Sequence, residues 1–281
     1  MGEFEGRTIF ITGASLGVGK ACAQQFHRLG ANVVLNARRA EPLEAAAAEL
    51  GDADRILTVA ADVADLDAME DALQLTVDRF GSLDGLVNNA GVHHRGPVSD
   101  VDPRRLAQMV AVNLGAPIAL TRMALPHLRS AAATGGPKRF VVQVASLAGT
   151  IPIDGAATYS ATKFGLRTFS FALAEELRDE PVTISVVSPG PIDTGFIMDQ
   201  IEDVSDLTFS QPICTAEHVA EMVVASARDG RRERQWPESG GTMGTLGYLF
   251  PSLRRMLKPV LMRRGRRRKE ALIAARDGHD G

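Results

Sequence analysis

Cysteine is nearly missing from this chain of 281 residues: only Cys22 and Cys214 occur, far apart in the sequence. Such spacing builds neither a disulfide framework nor a cysteine-ligated zinc site, so both thiols read as packing residues and no metal centre is expected. Long apolar runs are lacking too, since none reaches the roughly 18 consecutive residues of a membrane-spanning helix. The amino terminus, MGEFEGRTIFITG, carries acidic residues where a secretory signal would be basic and enters an apolar stretch at once. A cytoplasmic location is the expectation. Net charge is only −3, and the basic residues collect in one terminal stretch without aromatics between them. Nucleic acid is therefore not an expected partner. No linker-like stretch breaks the chain before about residue 235, and no repeat with a period of about 20 to 50 residues stands out.

Hydrophobic residues make up 45% and charged residues 23%, a balance able to bury a sizeable core. Short β-rich runs (TIFIT, NVVLN, ILTVA, LDGLVNN, RFVVQVAS, TISVVS) alternate with helical patterns over 18–29, 41–50, 66–80, 103–128, 158–178 and 216–229. Pro126 is expected to end or kink the fourth helix. This alternation predicts an α/β fold, a doubly wound parallel sheet with helices on both faces.

Tyr159 and Lys163 stand four residues apart in TYSATKFGL, and in a helix that spacing puts both on one face. An ammonium held beside a phenol, whose ordinary pKa is about 10, favours the phenolate and makes a general acid/base. Ser146 closes the apolar run VVQVAS, where its hydroxyl can hydrogen-bond the oxygen of a carbonyl under reduction. Upstream, the first strand runs into Thr12-Gly13-Ala14-Ser15-Leu16-Gly17-Val18-Gly19 and then a helix start. Glycines there let backbone approach a pyrophosphate, while the free N–H groups of the helix start attract its charge.

With these residues in place, the chain resembles the short-chain dehydrogenase/reductase family over about residues 6 to 230. The matching motifs are T-G-x-x-x-G-x-G at 12–19, N-N-A-G at 88–91, the set Asn113, Ser146, Tyr159 and Lys163, and Pro189-Gly190. The resemblance implies a single-domain Rossmann-like fold, a 1–240 nucleotide-binding and catalytic domain followed by a 241–281 extension. It implies hydride exchange between a nicotinamide dinucleotide and a carbonyl or alcohol. Tyr159 would move the proton, Ser146 would hold the carbonyl oxygen, and Lys163 would lower the tyrosine pKa and bind the ribose. Asn113 would hold a water linking Lys163 to solvent.

By the same resemblance the dinucleotide is held by Gly13, Ser15, Leu16, Gly17, Val18 and Gly19, by Asn89, Ala90 and Gly91, by Tyr159 and Lys163, and by Pro189, Gly190, Ile192 and Thr194. Asp62 would meet the adenine amino group, with Val63 beside it; a helix N-cap is the other reading of Asp62. Ala37 occupies the usual acidic position after the second strand and Arg38 follows it, so a ribose 2′-phosphate meets a cation and NADP is the expected cofactor.

For the substrate, loops beyond the strand ends offer His93, His94, Leu147, Ile151, Ile153 and the segment 191–212, which has the composition of a lid. Mostly apolar walls point to a lipophilic ketone or alcohol, and the two histidines are given no role. The sequence GRRERQWPESGG stands where relatives finish with a last strand, and the stretch LRRMLKPVLMRRGRRRK follows. This basic extension resembles those of family members acting on steroids, retinoids or long-chain lipids. It reads as a peripheral membrane contact, a subunit contact or a solvated tail. The family's habit implies a homodimer or homotetramer. Besides the reductase, two functional readings stay open: an NADP-sensing regulator with a redundant catalytic set, and a membrane-surface scaffold.

Overall fold

The computed structural model describes residues 2–198 and 201–277; Asp199 and Gln200 of the expected lid, and residues 278–281 of the extension, lie outside it. In chain order the elements are β1 (Thr8–Thr12), α1 (Gly17–Arg28), β2 (Asn32–Ala37), α2 (Ala40–Leu50), β3 (Ile56–Ala60), α3 (Leu66–Phe80), β4 (Gly85–Asn88), α4 (Pro103–Val110), α5 (Ala116–Ala133), β5 (Arg139–Val144), α6 (Ala157–Glu176), β6 (Val182–Pro189), β7 (Ile192–Asp193), α7 (Gly195–Met198), β8 (Cys214–Thr215), α8 (Ala216–Asp229), β9 (Glu233–Trp236), α9 (Glu238–Leu249) and α10 (Pro251–Asp277). The main sheet is parallel throughout, in the order β3-β2-β1-β4-β5-β6-β9. Its order reverses between β1 and β4, and that crevice at the carboxyl edge is where such folds take ligands.

Strands covered on both faces must be apolar nearly end to end, and β1 and β5 are buried at every residue. One face packs Phe26 against Phe140, ring centroids 5.9 Å apart, with Phe4 edge-on to Phe26 at 5.1 Å. On the other face Phe10, Leu73, Leu86, Leu120 and Leu128 meet under α3 and α5. Helix boundaries follow local chemistry. Asp65 caps α3 by accepting from the Ala68 N–H, and Gly81 ends it in the left-handed conformation at φ 82°. Thr215 and Gly230 do the same for α8.

Three expectations need correction. The helix predicted over 103–128 is interrupted by a π-helical turn, Ala111–Gly115, which carries Asn113. Pro126 does not stop it, because Leu125 and Leu128 are anchored in the core on either side and α5 runs on to Ala133. A seventh strand, β9, was hidden by its polar sequence ERQW. Edge strands tolerate charge, and Glu233 is matched there by Arg167 at 2.7 Å. The stretch Pro103–Ala133 is long and apolar enough to cross a bilayer, yet half of its most apolar window is buried inside the molecule, as a core helix is.

Candidate active site

The loops leaving β1, β4, β5 and β6 open into one cleft of about 1410 Å³. After β1 the chain turns through Gly13 (φ 66°) and Gly17 (φ 53°), conformations that favour glycine. A Cβ on Gly19 would lie 2.1 Å from the Gly13 carbonyl oxygen, so the helix can start this close to the turn only with glycine there. The turn is stitched to the N-N-A-G loop: Asn89 Nδ2 donates to the carbonyls of Thr12 (3.0 Å) and Gly13 (3.2 Å), and Thr12 Oγ1 accepts from the N–H groups of Asn89 and Ala90, both at 3.0 Å. Helix α1 begins with no side-chain cap and no acidic residue in its first turn. Its free N–H groups therefore face the cleft without a competing acceptor, which suits a pyrophosphate. A Cβ on Gly17 would come within 3.3 Å of Thr194 Cγ2, so Thr194 closes the opposite wall.

Ser146, Tyr159 and Lys163 all line this cleft. Ser146 caps a short 3-10 turn after β5, accepting from the Ala148 N–H at 3.1 Å. Tyr159 and Lys163 sit on the first turns of α6, brought close because Gly149 leaves room for the Lys163 carbonyl, 2.7 Å from where a Cβ would stand. Lys163 Nζ donates to the Val144 carbonyl at 2.9 Å and lies 5.7 Å from the Tyr159 ring centroid. Burial pushes this ammonium down to about 8. The tyrosine departs from expectation: burial raises its pKa, and a hydrogen bond with Ser146 and the charge of Arg95 oppose that rise without cancelling it. Removing a phenol from water penalises the phenolate, and the lysine's own hydrogen bond holds it on β5.

Asn113 lies behind the cleft wall. Its Oδ1 accepts from the Val92 N–H and its Nδ2 donates to the Val92 carbonyl, each at 2.8 Å. Of the expected cofactor residues, Gly13, Leu16, Gly17, Val18, Asn89, Ala90, Gly91, Pro189, Gly190, Ile192 and Thr194 line the cleft. Ser15, Gly19, Arg38, Asp62 and Val63 do not. Arg38 stands exposed just beyond the end of β2, Asp62 accepts from the Ala64 N–H at 3.0 Å, and Val63 is buried in the core. Asp65, not Asp62, caps α3.

On the substrate side Leu147, Ile151 and Ile153 form apolar wall, and His93, given no role above, lines it as well. Its imidazole stacks on Tyr159 with centroids 4.2 Å apart and planes 15° apart. His94 turns away to Gln108, 3.2 Å. No motif announces His93 or Arg95. The extension is no solvated tail: α10 clasps the lid. Lys269 Nζ donates to the carbonyls of Glu202 (2.7 Å) and Val204 (2.9 Å), and Arg268 to that of Ser210 (3.1 Å). Leu272 and Ile273 pack on Ile197, Ile201, Val204 and Phe209, while β7 and β8 pair at the base of the lid. Lys258, paired with Asp154, and Leu261 reach the cleft itself.

Comparison with known proteins agrees with this geometry. A family model for short chain dehydrogenases matches residues 7–205. Dehydrogenase/reductase SDR family member 7B of Rattus norvegicus is 33% identical over 202 residues, 69% of this chain but only 60% of that relative's length. Serine 3-dehydrogenase of Agrobacterium fabrum is 38% identical over 192 residues, 68% of this chain and 74% of the relative. Among solved structures, 3-ketoacyl-(acyl-carrier-protein) reductase from Brucella melitensis, complexed with NADH, superposes with a TM-score of 0.76 at 27% identity, covering 84% of this chain and all of the other.

Proposed function

Because the chain belongs to the short-chain dehydrogenase family, we propose that it transfers a hydride between NADP(H) and a carbonyl or secondary alcohol of a lipophilic substrate, with Tyr159 as general acid/base. The observation that carries this reading is the meeting of Ser146, Tyr159 and Lys163 in the same cleft as the uncapped start of α1. A dinucleotide held there would supply the hydride to the carbonyl carbon in reduction and accept it back in oxidation. Tyr159 gives its proton to the carbonyl oxygen in reduction and takes it back in oxidation. Ser146, in hydrogen-bond contact with the phenol, holds that oxygen as negative charge builds on it. Lys163 contributes a donor to the ribose hydroxyls. Arg38, exposed beyond β2 where an acidic residue is absent, supports NADP over NAD. Leu147, Ile151 and Ile153 support an apolar substrate.

The test is oxidation of NADPH and of NADH with a panel of ketones, run on the native protein, Tyr159→Phe and Arg38→Ala. Tyr159→Phe should abolish turnover with cofactor affinity nearly unchanged, and Arg38→Ala should weaken NADPH far more than NADH. Substantial residual turnover in the first, or equal weakening in the second, refutes the corresponding role. Residues 1–240 are taken as the catalytic domain and 241–281 as its extension, in a cytoplasmic homodimer or homotetramer after the family's habit. Exposed Leu249, Phe250, Met256 and Val260, close in sequence to Arg255, Arg263 and Arg264, support a peripheral membrane contact. Co-sedimentation with anionic vesicles checks it.

A further inference from the structure

We infer that His93 is a positioning residue: held in place by Asn113 through Val92, its imidazole braces the Tyr159 ring in the orientation that proton transfer requires. The inference rests on Tyr159 being the proton donor. A tyrosine ring at the wall of a cleft has one face open unless something covers it, and rotation about its second side-chain torsion is soft. The near-parallel imidazole at 4.2 Å covers that face.

His93 is itself held. The side-chain amide of Asn113 engages both polar backbone groups of Val92, at 2.8 Å each, which leaves the neighbouring residue little freedom. The same Nδ2 reaches Thr162 Oγ1 at 3.4 Å, and that hydroxyl donates to the Tyr159 carbonyl at 2.8 Å. One amide thus fixes the tyrosine twice, its main chain through Thr162 and its ring through Val92 and His93. The π turn at Ala111–Gly115 is what carries Asn113 within reach of both, and such turns gather at functional sites. His93 acts by position and not by charge. Burial first, then the charges of Arg95, His94 and Lys163, push its imidazole down to about 3, so it is neutral wherever the enzyme works.

The chain has two tyrosines, which gives a direct readout. In Tyr248→Phe, a change at a position 55% exposed, Tyr159 is the sole tyrosine, visible by ring-labelled NMR and by absorbance in alkaline titration. In this background His93→Ala should lower kcat by roughly 10- to 100-fold, the scale of a misplacement near 1 Å, with the NADPH Kd within about 2-fold. The tyrosine resonance should move toward that of a solvated ring, and its titration should fall toward the ordinary value of about 10 as water reaches the phenol. His93→Phe, which keeps the stack, should restore both. An unchanged resonance and kcat in His93→Ala overturn the inference. So does a His93→Phe variant whose resonance is restored but whose kcat stays low, since the imidazole would then be contacting substrate. His93→Leu, which fills the volume without a ring, replaces the alanine variant if that folds poorly. Retained activity in Tyr159→Phe would sink the proton-donor reading alone, because the resonance reports the stack without reference to turnover.

Discussion

Lys163 should make the protein less stable at neutral pH than at alkaline pH, by an amount set by its burial. Its side chain is 4% exposed at the residue level, and its ammonium falls from an ordinary 10.5 to about 8 in the folded chain. The folded state therefore releases this proton before the unfolded state does. Between those two values the unfolded chain binds more protons, so stability rises with pH. The full window is worth about 3 kcal/mol, at about 1.4 kcal/mol per pH unit. Between pH 7 and 9.5 about 2 kcal/mol of it should appear. Urea unfolding of the native chain and of Lys163→Met, read at those two pH values, isolates the effect. Buried Cys22, pushed up to about 12, also bends the curve, but equally in both proteins. The Val144 carbonyl loses its donor in the variant at every pH, which offsets the two curves without changing their difference in slope. Native protein should gain about 2 kcal/mol more than Lys163→Met over this range. Parallel curves would mean that the lysine is solvated and that its burial does not shape the site.

Two further outcomes follow from packing. Phe26 is fully buried between Phe4 and Phe140, so Phe26→Ala should cost about 3–5 kcal/mol in urea unfolding; a loss under about 1 kcal/mol would deny that cluster its place in the core. A Cβ on Gly265 would stand 1.7 Å from the Asp206 carbonyl oxygen, so Gly265→Ala should lift α10 off the lid and speed amide exchange over residues 201–210 at least about tenfold. Unchanged exchange there would show that α10 does not hold the lid.

The sheet was legible because its strands obey one rule, apolar on both faces, and the pairing of Tyr159 with Lys163 on α6 because spacing on one helix is a geometric statement. β9 escaped since an edge strand can be written ERQW when Arg167 answers its glutamate. The π turn escaped because Ala-Val-Asn-Leu-Gly fits an ordinary helix equally well, and its wider hydrogen bonding is decided by what Asn113 meets at Val92. His93 escaped for a similar reason. A histidine pair after a turn looks solvated, and only the fold turns His93 onto a ring 66 positions away while sending His94 to Gln108. The basic extension was visible as charge, but charge alone cannot reveal that Arg268 and Lys269 end on lid carbonyls.

Burial drives Tyr159 and Lys163 in opposite numerical directions and toward the same end, the uncharged form of each. A phenol that gives up its proton in such a place leaves an oxyanion that the surroundings disfavour. Groups aimed at it must therefore do what water cannot. Spacing in the sequence nominates Lys163 for that work, but the fold ties one of its N–H donors to Val144 and leaves its ammonium 5.7 Å from the ring centroid. What opposes burial at the phenol is the Ser146 hydrogen bond and the positive charge of Arg95, a residue outside every motif. Arg95 and His93 leave the same loop, the one Asn113 fixes at Val92, so the electrostatics of the phenol and the orientation of its ring depend on one hydrogen-bonded amide. Asn113, which has no place on the cleft wall, therefore bears on the proposed proton donor through the backbone of Val92.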